Sequence, residues 1–206
     1  MRNVYHDNEI PRRRLLDAAC ECIKQLGFAG ASEAAICEYA GLSRGGLHYH
    51  FKRGKVDLLI ALAEELYRRA YERAVSNAGQ DSGTTLLTAL DQAIATQAIG
   101  VGDEQCVLVE LWLGARSSEK MSATLGRAIE SLRREYWENL RELAAPRWDP
   151  AIAHYGYLFR TLLRGITVER AAGEGEQSEH LAMLKTLRDW IARELESHMP
   201  SSDAPG

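Results

Sequence analysis

The 206-residue chain has no apolar run long enough to span a bilayer. Its longest, CVLVELWLGA, holds about ten residues and includes Glu110, against the roughly 20 apolar residues a spanning helix needs. No apolar leader precedes the first amphipathic stretch, MRNVYHDNEIPRRR, so a cytoplasmic location and no membrane partner are expected. Sustained period-two alternation is missing, which leaves little room for strands. Catalytic signatures are missing as well. HFKRGK lacks phosphate-loop spacing, no Gly-x-Ser-x-Gly elbow occurs, and no His/Glu pair has zincin spacing. An enzyme or other helical binding protein is therefore the different-class alternative to the reading developed below, and no cofactor is expected.

Cysteine is sparse: four residues, with no disulfide or zinc spacing. On a helix Cys20 and Cys22 point about 200° apart, and Cys37 and Cys106 stand alone. Buried free thiols follow, with a cysteine-based redox sensor as the alternative. The same geometry separates His48 from His50, so no metal site is expected there.

What the chain does have is an uneven charge. The net charge is −4, yet residues 1–60 hold nine Lys/Arg against seven Asp/Glu, so all of the excess acid lies beyond them. Leu42–Lys55 carries Arg44, Lys52, Arg53 and Lys55 with no acid at all. A basic patch on an acidic protein points to a polyanion touched by one end only.

Apolar spacing is helical nearly everywhere, so the fold class is all-α, with nine helices expected. The first follows Pro11, carries Leu15, Leu16, Ala19, Ile23 and Leu26 on one stripe, and ends at Gly27. Ser32 with Glu33 opens a second through Tyr39, Gly41 breaks it, and Ser43 caps a third to about His50. A long fourth helix runs from Lys55 to the Gly/Ser-rich SNAGQDSGTT, and others are expected at 84–98, 104–115, 119–144, 149–172 and 177–197. The boundary between an amino-terminal domain, 1–54, and a second, 55–206, falls before the long helix.

Three short helices with AGLS between the second and third spell a helix-turn-helix. Ile36 and Leu47 face inward, Cys37 is small where the helices cross, and Gly41 takes the positive φ of the turn. The third helix is the one that enters a major groove. Gly45 and Gly46 in its first turn let backbone approach DNA. Arg44 reaches phosphate or the O6/N7 edge of guanine. His48, Tyr49 and His50 offer donors and aromatic surface, and Lys52, Arg53 and Lys55 flank the groove as phosphate clamps.

Residues 10–60 resemble the DNA-binding domain of the TetR family of bacterial transcriptional regulators. That pattern is a Ser/Thr opening helix two, Ile-Ala-x-x-Ala-Gly-Val-Ser, x-Gly-x-Leu-Tyr-x-His-Phe, then Lys and Leu. Here it reads Ser32, ICEYAGLS, RGGLHYHF, Lys55 and Leu58. Cys37 replaces the usual Ala, His48 stands where Tyr is frequent, and FKRGK carries one extra residue before Lys55. The resemblance implies a homodimer whose amino-terminal domain reads operator DNA and whose larger carboxy-terminal domain binds a small effector. It also implies DNA contacts from Ser32, Arg44, Gly45, Gly46, His48, Tyr49, His50 and Lys55, and a repressor released by that effector.

Beyond residue 100 the stripes are long but less specific. Leu108, Trp112 and Tyr136 are candidates to line an effector cavity, with Arg116 or Arg133 facing an acidic group. Ile152, Tyr155, Phe159, Leu162 and Ile166 form one stripe; Leu181, Leu184, Leu187, Ile191 and Leu195 form another, widened by Met183 and Trp190. A terminal helix apolar on more than one side needs cover from its own core and from a partner. Ile152, Tyr155, Phe159, Leu184, Leu187, Trp190 and Ile191 are the resulting dimer-interface candidates.

Overall fold

A computed structural model of the chain describes residues 4–77, 91, 94, 103–144 and 150–198. Every regular element among them is helical. We number them α1 (Val4–Gly30), α2 (Glu33–Ala40), α3 (Arg44–His50), α4 (Lys55–Asn77), α5 (Asp103–Gly114), α6 (Glu119–Met121 continuing through Ser122–Gly126 into Arg127–Ala144), α7 (Pro150–Ala171) and α8 (Gln177–His198). None is long and apolar enough to cross a membrane. The helix expected at 84–98 lies largely outside the described residues; Asp91 and Ile94 are helical.

The helix ends follow local chemistry. Ser32 Oγ accepts the Ala35 N–H at 3.2 Å and Ser43 Oγ accepts the Gly46 N–H at 3.1 Å, each closing an N-terminal turn. Gly41 takes φ 61°, and its N–H and that of Leu42 close the end of α2 on Glu38 and Cys37 carbonyls. Gly27 leaves the helical region at φ 67°, where the sequence ends the first helix, and a short further turn reaches Gly30. At the other end α1 begins at Val4, ahead of Pro11 rather than after it. A proline takes only one N–H out of the ladder, and the residues before it still form their own turns. In α6, Ser122–Gly126 is a π turn inside the otherwise continuous helix expected at 119–144.

The chain divides into two compact units, Met1–Tyr71 with Asp103–Glu138, and Glu72–Gly102 with Asn139–Gly206. In the first, Leu15, Ala19 and Ile23 of α1 meet Ile36, Leu47, Leu58, Leu59 and Leu66, and Val107, Leu111, Leu125 and Ile129 complete the same core. The packing around α1–α3 thus continues well past residue 54.

In the second unit Ile94, Phe159, Ile166, Leu184 and Ile191 form a core, with Tyr155, Leu162, Leu163, Leu181 and Leu187 packed against it. Three of the dimer-interface candidates are therefore spent inside the chain. Phe159 is 6% exposed, and Leu184 and Ile191 are wholly buried between α7 and α8. Tyr155 and Leu187 are half-buried against the same core. The Ile152 side chain lies outside the described residues. Trp190 is exposed, its ring edge-on to Tyr155. Among the described residues, the exposed large apolar side chains of these two helices are Tyr157 and Val168 on α7, and Met183 and Trp190 on α8.

Candidate nucleic-acid interface

The α2–turn–α3 unit is clamped from below and open above. Leu47 is the one fully buried residue of α3. Arg14 of α1 donates to the Ala40 carbonyl at 2.6 Å, locking the end of α2 at the turn. Arg44, Gly45, His48 and Tyr49 are all exposed, Tyr49 at 60%. A Cβ built on Gly45 or Gly46 meets only Ser43 Oγ, at 3.7 and 3.6 Å, which is ordinary contact. Nothing within the protein requires these two glycines, so the helical cost of about 1 kcal/mol each calls for something outside it.

Around them, Lys52 holds its ammonium 5.7 Å from the Tyr49 ring, which stands edge-on to His50. Ser43, Arg44, Gly45, Gly46, His48, Tyr49, His50 and Lys52 thus lie on or beside one short helix and its turn, while Ser32 caps the opposite end of α2. Arg53 is paired instead: its N–H and Nε both donate to Asp57, at 2.7 and 2.6 Å. The backbone hydrogen bond leads in holding the Asp57 carboxyl below its ordinary range, and the Arg53 side chain adds to it.

Lys55 departs from the expected phosphate clamp. Its Nζ donates to the Phe28 carbonyl at 3.0 Å and lies 4.6 Å from the Phe28 ring. Burial pushes its pKa down, an effect that the neighbouring Cys22 and Glu33 oppose. The long stem reaches inward because a carbonyl and an aromatic face are waiting there. In this structure Lys55 ties α4 to the end of α1 and does not face the α3 surface.

Sequence reasoning also missed Glu33, which read only as a helix opener. One carboxylate oxygen accepts the Lys55 N–H at 2.8 Å; the other meets His48 Nε2 at 3.2 Å. Gly54, at φ 61°, lies over this knot, where a Cβ would run into the Glu33 carboxylate and the His48 ring. Gly54→Ala should therefore destabilise the protein by about 2 kcal/mol or more, combining left-handed strain with overpacking. A denaturant titration checks this; an unchanged midpoint would show that the knot gives way freely. A further miss is Arg12, whose guanidinium lies 5.6 Å from the Phe51 ring centre. None of these pairs has a sequence signal, since their partners lie on other elements.

The effector candidates are dispersed. Leu108 packs against the core, while Trp112 is 48% exposed with Arg116 5.9 Å above its ring. Tyr136 leans on Tyr67 of α4 at 5.6 Å and on Trp137, and Arg133 is half-buried. A separate cleft of about 210 Å³ lies among α1, α4 and α5 and touches none of the five. Its wall holds Asp17, Cys20, Lys24, Glu65, Arg69 and Glu104. Arg69 bridges Glu65 at 2.8 Å and Glu104 at 3.1 Å. Burial works against the Glu65 charge, yet the hydrogen bonds from Arg68 and Arg69 outweigh it and hold the carboxyl below its ordinary range. At α5, Glu110 accepts the Phe28 N–H at 2.8 Å, so the residue that receives Lys55 is also tied to α5. No group of three or more metal-ligating side chains assembles among the described residues.

Comparison with known proteins covers the same segment of the chain. Residues 15–62 match the profile of the family described as bacterial regulatory proteins, tetR family. An uncharacterized HTH-type transcriptional regulator of Mycobacterium bovis is 35% identical over 113 residues, 54% of this chain and 56% of that protein. The match thus spans little more than half of that relative's length. Among solved structures, a TetR-family regulator from Rhodococcus sp. aligns with TM-score 0.63 at 22% identity, covering 88% of this chain and 98% of the other. A TetR-family member from Streptomyces coelicolor aligns with TM-score 0.60 at 21% identity, covering 86% and 97%. These two likenesses are likenesses of fold.

Proposed function

We infer that the protein is a cytoplasmic, dimeric DNA-binding transcriptional regulator of the tetR kind and no enzyme, a reading supported by the match of residues 15–62 to the profile described as bacterial regulatory proteins, tetR family. Residues 1–54 read operator DNA, and residues 55–206 bind an effector and dimerise. The observation that carries this reading is α3 itself: exposed, basic at its start, and stripped of side chains at Gly45 and Gly46 with open space above them. A groove-bound helix needs that closeness.

A repressor role fits a protein that occupies a promoter by holding two such helices in the groove. Release by a small effector is supported by the tie between Glu110 and Phe28, because a shift of α5 pulls on the segment to which Lys55 is anchored. The redox alternative has less support. Burial pushes the thiols of Cys20, Cys22 and Cys37 up, the reverse of what a reactive thiolate needs.

The test is selection of duplexes from a random pool by the full chain. A palindromic site should emerge, and Arg44→Ala should cost about 1–3 kcal/mol per half-site on that duplex and far less on unrelated DNA. Selection of no sequence removes this reading.

A further inference from the structure

The α3 ring that meets Glu33 has two nitrogens with different partners. Nε2 of His48 lies 3.2 Å from Glu33 Oε2. An ionised carboxylate only accepts, so Nε2 carries the proton in the neutral ring. Nδ1 has no hydrogen bond among the described residues, and the side chain is half exposed. Glu33 cannot swing away cheaply: its other oxygen takes the Lys55 N–H at 2.8 Å, at the start of α4, and Gly54 packs over both Glu33 and His48. The carboxylate is therefore held in place by a donor that can do nothing but donate.

We propose that Glu33 is a positioning residue that fixes the tautomer of His48, so that α3 presents the Nδ1 lone pair, a hydrogen-bond acceptor, to the DNA. The proposal rests on the DNA-reading function above. An acceptor is repelled by phosphate, so its partner is an exocyclic amino group in the major groove, N6 of adenine or N4 of cytosine. The Tyr frequent at this position in the family carries a hydroxyl that both donates and accepts; here Glu33 removes that freedom. His48 is thus a specificity-determining residue.

Glu33→Gln inverts the arrangement with one atom changed. The Lys55 N–H still needs an acceptor, which the amide oxygen supplies, leaving the NH2 group facing His48 Nε2. That nitrogen must then accept, and the proton moves to Nδ1. Imidazole nitrogen spectra of the labelled full chain report the tautomer directly at a pH where the ring is neutral, with His48→Gln used to assign the signal. The expected result is Nε2–H in the natural protein and Nδ1–H in Glu33→Gln. Duplex selection then reads the consequence: at one position per half-site the enrichment should shift from adenine or cytosine toward guanine, whose N7 and O6 both accept, with other positions unchanged.

A ring that keeps the same tautomer in both proteins overturns the role of Glu33. Tautomers that switch while the selected site stays the same overturn the role of His48 in reading. If the natural protein enriches no duplex, the DNA-reading function fails and this inference with it, even with the tautomers as stated. Glu33→Ala guards against misfolding of the amide variant: it should bind with relaxed preference at the same position, and an unchanged preference counts against the proposal.

Discussion

Gly46→Leu is expected to lower affinity for the selected duplex by at least about a hundredfold, ~2.7 kcal/mol, while making the protein slightly more stable. The opposite signs come from where the new atoms go. The Gly46 N–H still reaches Ser43 Oγ, so the cap survives. The Cβ meets only that oxygen, at 3.6 Å, and no other part of the protein. Leu is a better helix former than Gly by nearly 1 kcal/mol, and its Cβ meets no clash. On the outside, four carbons now stand between the backbone of α3 and the floor of a groove. Thermal unfolding and fluorescence anisotropy on the same preparation check both halves. Normal binding by this variant would falsify close approach as the reason for the paired glycines.

What could be read from the sequence, and what could not, divides by range. The caps at Ser32 and Ser43 and the turn at Gly41 were legible because each involves residues within four positions. The inward course of Lys55 was not, because the carbonyl that captures it lies 27 positions away at Phe28. Glu33 and His48 are 15 apart on different helices, and no spacing rule joins them. On α7 and α8 periodicity located the helices correctly, but a helix apolar on two sides does not announce which side meets its own neighbour. Phe159, Leu184 and Ile191 went to the intrachain core, leaving Tyr157, Val168, Met183 and Trp190 outside. The effector candidates rested on periodicity alone. Leu108, Trp112 and Tyr136 satisfy a helical stripe, and a stripe says nothing about whether a cavity opens beside it.

The exposed face of α7 gives the second large effect, Tyr157→Glu, expected to turn the proposed dimer into a well-folded monomer. Tyr157 is 57% exposed, and Thr161, Gly165 and Val168 follow it at helical spacings of four, four and three, all exposed. Gly165 has nothing within 4 Å of where its Cβ would sit, so a second helix can come close there. Such a stripe, bare of charge at these four positions, is suited to its own image in another copy. In a two-fold interface each substitution appears twice. Two added carboxylates then face each other across the two-fold contact, where desolvation and mutual repulsion oppose association. Because Tyr157 lies outside the core of Phe159, Ile166, Leu184 and Ile191, helix content should be retained. Phe159→Glu is the contrasting control, since it places the charge inside that core and should unfold the second unit. Sedimentation at micromolar concentration decides the matter. A monomeric, folded Tyr157→Glu protein should also lose most of its affinity for a palindromic duplex, since only a dimer holds two half-sites at once. A variant that still sediments as a dimer moves the interface off this face of α7, whatever α3 does with DNA.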